Sequence, residues 1–515
     1  MDDRISRLDP RTPVIVGVGQ AVERIDDPAY QGLSAADLAA AAARAAIADS
    51  GLGSAASAMI GAVGAVRTFE DSNAAPSPFG KPDKFPLAVA RRLGLTPARA
   101  LLDCVGGQSP VTVLMHLGEA IRRGETAAAL VFGAEAMSSA RHLVASGATR
   151  DWAETDSGDI EDMGMGVKGL LSPLAIAHGV VSPPVAYALM DNARRGRLGQ
   201  SVPAYARAMG ELFAPFTQVA AANPYSCAAV APLTAEAIAT PSDRNRLVSD
   251  PYPVKLVARD QVNQGAAVLL CSLGAALAAG LAPAALTFVH AATLTREKEL
   301  LARPDLGAYP AAVAAIASAL DRAGLSIAGC DAFDFYSCFP IPVFATAIDA
   351  FGLRADDPRG LTVTGGLPYF GGAGNNYSMH AIAAMVERLR PAGGTGLIGA
   401  NGGFQSKYAA LVLSGQPAPW PGAIDTSAQA QCDTVADVVP QALANGEGLV
   451  ETYTVWRDKG VPRRAIAIGR LPDGARFVAS AADAAALDHA ASHDLIGSTV
   501  NLAHDGQLTR FSAAG

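Results

Sequence analysis

Six cysteines, Cys104, Cys227, Cys271, Cys330, Cys338 and Cys432, are the strongest nucleophiles the chain offers, and none belongs to a CxxC pair. Scattered spacing of this kind argues against a zinc site or a disulfide framework, so no metal is expected and the thiols should stay reduced, as in a cytoplasm. Two of them stand in conspicuous loops. Cys104 lies in Asp103-Cys104-Val105-Gly106-Gly107-Gln108-Ser109-Pro110, where a strand pattern gives way to a helical one, and Cys338 lies in Phe335-Tyr336-Ser337-Cys338-Phe339. A thiol or hydroxyl at a strand-to-helix turn can be activated by the helix N-terminus. Ser109 is the hydroxyl there, but no base accompanies it, and capping the helix is its plainer role. Two more loops are rich in glycine, Gly365 to Asn376 and Gly399 to Phe404. Glycine runs let backbone N–H groups approach a ligand closely.

Helices and strands must hold these loops, and the chain has ample material for them. With 515 residues, half of them apolar, it can bury several cores. Only 17% of residues are charged and the net charge is −8, which excludes a surface built to neutralise a nucleic acid. An anionic small molecule remains open, because a few basic groups and helix N-termini suffice for phosphates. The start, Met1-Asp2-Asp3-Arg4, lacks the basic and apolar regions of a signal peptide. The most apolar run, 266–281, is interrupted by Ser272 and Gly274 and is too short for a bilayer, so no membrane span and a cytoplasmic location are expected.

Thr12 to Gly19 is a short apolar run of the kind buried on both faces of a sheet. Ser34 can cap a following helix in which Leu38, Ala41, Ala42 and Ala45 recur at helical spacing. Further strands are predicted over 62–66, 100–104 and 127–132, with helices over 86–93 and 111–122. Such alternation means a layered α/β domain over 1–138. Across 139–254 it fails, and the crowding of Met, Pro and Gly around Met163-Gly164-Met165-Gly166 and Ser182-Pro183-Pro184 reads as a mostly helical insertion. A second α/β unit occupies 255–415 and suggests duplication, with no repeat visible by identity. After a Pro-rich linker at 416–424, residues 425–515 alternate with period two and carry hairpin signals at Asp458-Lys459-Gly460 and Asp473-Gly474, as in a small β domain.

The Cys104 loop, the helix ending at Gly124 and the motif Gly133-Ala134-Glu135-Ala136-Met137-Ser138 together resemble the nucleophile region of the thiolase superfamily. The likeness runs over about 10–415 and is nearest to the sterol-carrier-protein-type thiolases. Arg244 to Pro253 and Asn263 to Ala267 look like that subfamily's entry into its second half. The whole chain resembles the type 1 thiolase-like proteins that carry an additional C-terminal domain. The resemblance implies a thiolase fold, a duplicated layered α/β core with an inserted loop domain, followed by a small all-β, OB-like domain.

It also implies where the catalytic groups should be. A thiolase places its nucleophilic cysteine where this chain has Gly107, leaving Cys104 three residues earlier to be a buried small hydrophobe sooner than a displaced nucleophile. The subfamily's His-Asp-Cys-Phe loop corresponds to Tyr336, Ser337, Cys338 and Phe339, so only the acid/base cysteine remains. The histidine of the Gly-His-Pro motif falls on Gly372. Cys338 and Tyr336 are therefore the candidate catalytic residues, and Gly107, Gln108, Ser109, Gly372, Asn375, Asn401 and Gly403 are candidates for lining a thioester site. Claisen chemistry needs a thiolate and a base, and both positions are glycine, so ordinary condensation or thiolysis is doubtful.

Three readings follow. The chain binds an acyl-CoA or related thioester, with no tightly bound cofactor; or it is a retro-aldolase on a hydroxyacyl-CoA with tyrosine acid/base groups, Tyr336 foremost and Tyr369 and Tyr377 as alternatives to plain space-filling; or it is a thioester carrier or scaffold whose C-terminal domain recruits a partner or caps the core. Thiolases pair through the edge of their sheet, which the added domain could block, so a monomer or weak dimer is expected.

Overall fold

The computed structural model describes residues 4–513. Strand β1 (Pro13–Val22) is buried along its first eight residues, as its unbroken apolar run requires. Helix α1 (Ala35–Asp49) starts with a capping box: the Ser34 hydroxyl accepts from the Asp37 backbone N–H while the Asp37 carboxylate accepts from the Ser34 N–H. Strands β2 (Ile60–Ala65) and β3 (Arg99–Leu102), helix α2 (Ser109–Arg122) and strand β4 (Ala128–Ala136) follow before the insertion. The insertion contributes α3 (Pro183–Arg197) and α4 (Val202–Ala222). Strands β5 (Asn263–Ser272) and β6 (Thr287–Arg296), helix α5 (Pro310–Arg322), strand β7 (Ala332–Asp334), helix α6 (Tyr377–Leu389) and strands β8 (Thr395–Gly402) and β9 (Lys407–Ser414) follow.

Among the described residues, ten strands form one sheet in the order β7-β8-β9-β6-β1-β5-β4-β2-β3, ending on the short strand Glu161–Asp162. The duplication that identity hides is plain in this order. Although it lies within 255–415, β5 closes the first half, so that in each half the first strand lies antiparallel to the last, β1 against β5 and β6 against β9, and parallel pairs lie outside them, β2 with β4 and β7 with β8. Helices α2 and α6 are the matching members of the two halves. They share one core, with Val111, Leu114 and Leu117 of α2 packed among Met379, Ile382 and Val386 of α6 and strand residues from both halves. Both are apolar nearly all round because nothing but protein surrounds them. Their N-terminal ends meet, which brings the glycine-rich loops together.

The β3 edge of the sheet is covered, and the covering segment belongs to the insertion rather than to the C-terminal domain. Glu161–Asp162 runs parallel to Leu101 and Leu102, Met163 N–H donates to the Leu102 carbonyl at 3.0 Å, and Arg99 holds Glu161 at 2.8 Å. A covered edge offers no row of free backbone groups to a second sheet.

The C-terminal region is a closed barrel. Strands β10 (Gly446–Asp458), β11 (Val461–Arg470) and β12 (Arg476–Ala481) are followed by helix α7 (Ala484–Ser492) and strands β13 (Thr499–His504) and β14 (Thr509–Ala513). The ring β10-β11-β12-β14-β13 closes on β10, with β12 and β14 as its parallel pair. Val455, Phe477, Val500, Leu502 and Phe511 fill it. Buried charge-assisted bonds fasten it to the insertion. Arg195, with its side chain 2% exposed, grips Asp494 through both terminal nitrogens at 2.6 and 2.7 Å, and Asn192 donates to the Asp250 and Tyr453 carbonyls.

Candidate functional site

Gly107 stands just before α2, at the position the thiolase resemblance assigns to the nucleophile. A Cβ placed there would lie 2.5 Å from the Tyr336 hydroxyl and 2.6 Å from the Tyr336 ring, and closer still to the Asn401 carbonyl oxygen. Tyr336 therefore fills the volume that a cysteine side chain would need. Its ring meets Tyr377 edge-on, with centroids 5.3 Å apart. Among the described residues its hydroxyl finds no hydrogen-bond partner. Burial, with the Cys338 thiol nearby, pushes the phenol pKa far above its ordinary value, so Tyr336 is an O–H donor and not a base.

Cys338 lies beside it. Burial pushes its thiol up to about 12, against weaker opposing hydrogen bonds from Tyr187, Asn401 and backbone, so this group too stays protonated. The Asn401 amide touches the sulfur at 3.7 Å and is held at both ends, donating to the Tyr187 hydroxyl at 2.8 Å and accepting from Tyr309 at 2.9 Å. Tyr187 in turn donates to the Gly403 carbonyl at 2.9 Å and stacks on Phe339 with centroids 4.5 Å apart. Tyr187 and Tyr309 carry no motif that would single them out in the sequence. They reach the site from α3 and from the residue before α5.

The glycine-rich loops are packing slots filled by the protein's own amides. The Gln108 Oε1 atom, buried and without a donor, lies over Gly106 and Gly402, where a side chain on either glycine would collide with it. Gln264 Oε1 occupies the same relation to Gly371, whose φ of +130° already demands glycine. Backbone groups in the loops are likewise engaged: the Gly372 N–H donates to the Arg259 carbonyl at 2.8 Å, and the Gly107 carbonyl accepts from Ser378 at 2.7 Å.

Other candidates serve the loop's shape. Ser109 does not cap its helix; Gln108 precedes the first turn, and the Ser109 hydroxyl donates to the Asp103 carboxylate at 3.0 Å. Asn375 ties two loops together, accepting from the Gly106 N–H at 2.9 Å and donating to the Arg67 carbonyl at 2.8 Å. Lys407 pins the insertion over the nucleophile loop through the Val105 and Gly166 carbonyls at 2.6 and 3.0 Å. Tyr377 is bonded to Thr364 and Asp334, while the Tyr369 hydroxyl is buried without a partner. The structure thus brings Gly107, Tyr336, Cys338 and Asn401 to one point. That point holds two protonated donors and neither a thiolate nor a base.

Residues 428–507 match the family model described as the thiolase-like protein type 1 additional C-terminal domain. No curated protein matches the chain. Among solved structures, a monomeric SCP2-thiolase like protein type 1 from Mycobacterium smegmatis is 41% identical, with a TM-score of 0.83 over 98% of this chain and 100% of that one. Two others share the fold alone. The Ltp2-ChsH2(DUF35) aldolase is 17% identical over 79% of this chain and 98% of its own, with a TM-score of 0.55. The dimeric peroxisomal thiolase of Saccharomyces cerevisiae is 15% identical over 80% of this chain and 100% of its own, with a TM-score of 0.56. An identity of 41% sustained over nearly the full length goes beyond shared fold, and the chain belongs to the SCP2-thiolase-like proteins of type 1.

Proposed function

We propose that this protein binds an acyl-CoA or related thioester and does not carry out Claisen condensation or thiolysis. The observation that carries this reading is the packing at Gly107: Tyr336 stands where a side chain would begin, and Tyr336 and Cys338 at that point are both hydrogen donors. Donors held in a dry site can polarise a thioester carbonyl, but they cannot remove a proton or attack a carbon. The Tyr336 ring must swing aside for a carbonyl to enter. The capped sheet edge supports a monomeric chain.

Calorimetric titration with coenzyme A and with short and bulky acyl-CoAs, followed by mass spectrometry of each mixture, tests this. Saturable binding without a new thioester or cleavage product is the expected result, and Tyr336→Phe should weaken it about fivefold, the loss of one neutral hydrogen bond. Absence of saturable heat with every thioester would end the binding reading.

A second reading, retro-aldol cleavage of a β-hydroxyacyl thioester, draws on the free hydroxyl of Tyr336 and on the aldolase among the proteins of similar fold. There the bond between the α and β carbons breaks, its electron pair passes to the α carbon of a thioester enolate that is protonated there, and the β-hydroxyl proton passes in return to the oxygen that gave that proton, so that no separate base is consumed. Tyr336 would supply that last proton. Product formation that disappears in Tyr336→Phe, with binding retained, would favour this route.

A further inference from the structure

We infer that the tip of the barrel's first hairpin, with the neighbouring turn of the insertion, is a docking surface for an acidic protein segment that has an apolar residue at its centre. The hairpin joins β10 to β11 through Lys459 and Gly460, with φ of +50° and +87°. Such a two-residue turn wants Asn or Gly at its first position, because only they enter the left-handed region at little cost. Lysine stands there instead, and its side chain has no ion-pair or hydrogen-bond partner among the described residues. Strain retained without a local compensating contact points to use of the side chain elsewhere.

Other cations gather round it. Arg246 packs against the turn, its Cβ 3.7 Å from where a Gly460 side chain would begin. Arg464 stands directly across from Trp456 in the strand register and lies against Gly179. Arg463 is exposed and only loosely associated with Asp458, at 4.0 Å. Arg244 sits in the adjoining tight turn between Ser242 and Asn245. Against these cations stand two carboxylates, Asp243 and Asp458, in a chain whose net charge is −8. A third carboxylate at the hairpin, Asp250, is taken up by Arg457, and away from the turn Arg476 is held by Glu451.

The centre of this ring is apolar and exposed. Trp456 is 38% exposed, Val461 51% and Val254 36%, and the Val254 N–H is bonded to the Arg246 carbonyl. Exposed tryptophan among arginines is the composition of interface hot spots. Cations around an apolar centre complement a short segment that carries carboxylates on either side of a Leu or Phe. The surface shares no residue with the site around Tyr336, and the proposal does not depend on the thioester reading.

Fluorescence anisotropy of the full chain with a labelled twelve-residue peptide of Glu residues flanking a central Leu-Phe pair tests the assignment. The same peptide with Lys for Glu is the control. Binding of the acidic peptide alone is expected, weakening about tenfold when salt is raised from about 50 to 300 mM. Arg246→Ser/Arg463→Ser/Arg464→Ser and Trp456→Ala should each weaken it about tenfold. Lys459→Gly gives the sharpest readout: it should weaken peptide binding while raising the thermal midpoint, a pairing that a purely structural lysine would not give. No binding to the wild type, unchanged binding by the triple variant, or preference for single-stranded DNA or phosphatidylglycerol vesicles over the peptide would each overturn the proposal.

Discussion

Gly107→Ala is expected to destabilise the protein by about 2 to 3 kcal/mol, the usual cost of forcing an added methyl into a well-packed site. The new carbon would meet the Tyr336 hydroxyl at 2.5 Å and the Asn401 carbonyl closer still. Shortening the neighbour should relieve part of this. In a Tyr336→Ala background the cost of Gly107→Ala should fall by roughly 1 to 2 kcal/mol, a coupling within the range for residues in direct contact. Urea unfolding of the four species measures it. Strict additivity would show that Tyr336 does not occupy the missing side chain's place, and the argument for a rebuilt site would fall. The same geometry makes Gly107→Cys a poor route back to thiolase chemistry. A thiol there has no room, and no base at Gly372 to activate it.

Acid is expected to weaken the grip between barrel and insertion through His178. Its Nδ1 atom bonds the Ser480 hydroxyl at 3.1 Å, its Nε2 atom has no partner, and the residue is 1% exposed. Burial first, and then repulsion from Arg510 and Arg464 partly offset by Asp505, bring its pKa down to about 4. A histidine with a depressed folded pKa is protonated first in the unfolded chain. Its contribution is therefore fully present above pH 6.5 and is lost as the pH falls towards 4. The displacement corresponds to roughly 3 kcal/mol at its upper end. His380 acts in the same sense, brought down to about 3 by burial, whereas Asp191, pushed up to about 6 by burial, loses stability as the pH rises towards 6. The difference between wild type and His178→Gln isolates the first group. Thermal midpoints of the two, followed from pH 7 to 4.5, should converge as the pH falls. Parallel curves would mean that His178 is not what acid attacks.

Periodicity and local chemistry carried a large part of this protein in the sequence itself. Apolar runs of strand length, helical spacing after Ser34 and the hairpin glycines at 460 and 474 each express a preference settled within a few residues, and the corresponding elements form where those preferences lie. The absence of a thiol at 107 and of an imidazole at 372 is likewise a property of the string, and with it the doubt about Claisen chemistry.

What the string leaves open is decided by contacts between distant residues. Asn401 is held by Tyr187, 214 residues away, and the sheet edge is closed by Glu161–Asp162 rather than by the added domain. Ser109, a plausible cap from its type and place, turns to Asp103 because the helix starts one residue earlier than a serine cap would need. Above all, Gly107 reads in sequence as a position without a thiol, and in the folded chain as a glycine against which the Tyr336 ring and hydroxyl pack. Secondary structure is dictated by neighbours along the backbone, but volume is shared only among side chains that folding brings together, so the filling of the space beside Gly107 by Tyr336 was decided by tertiary packing alone.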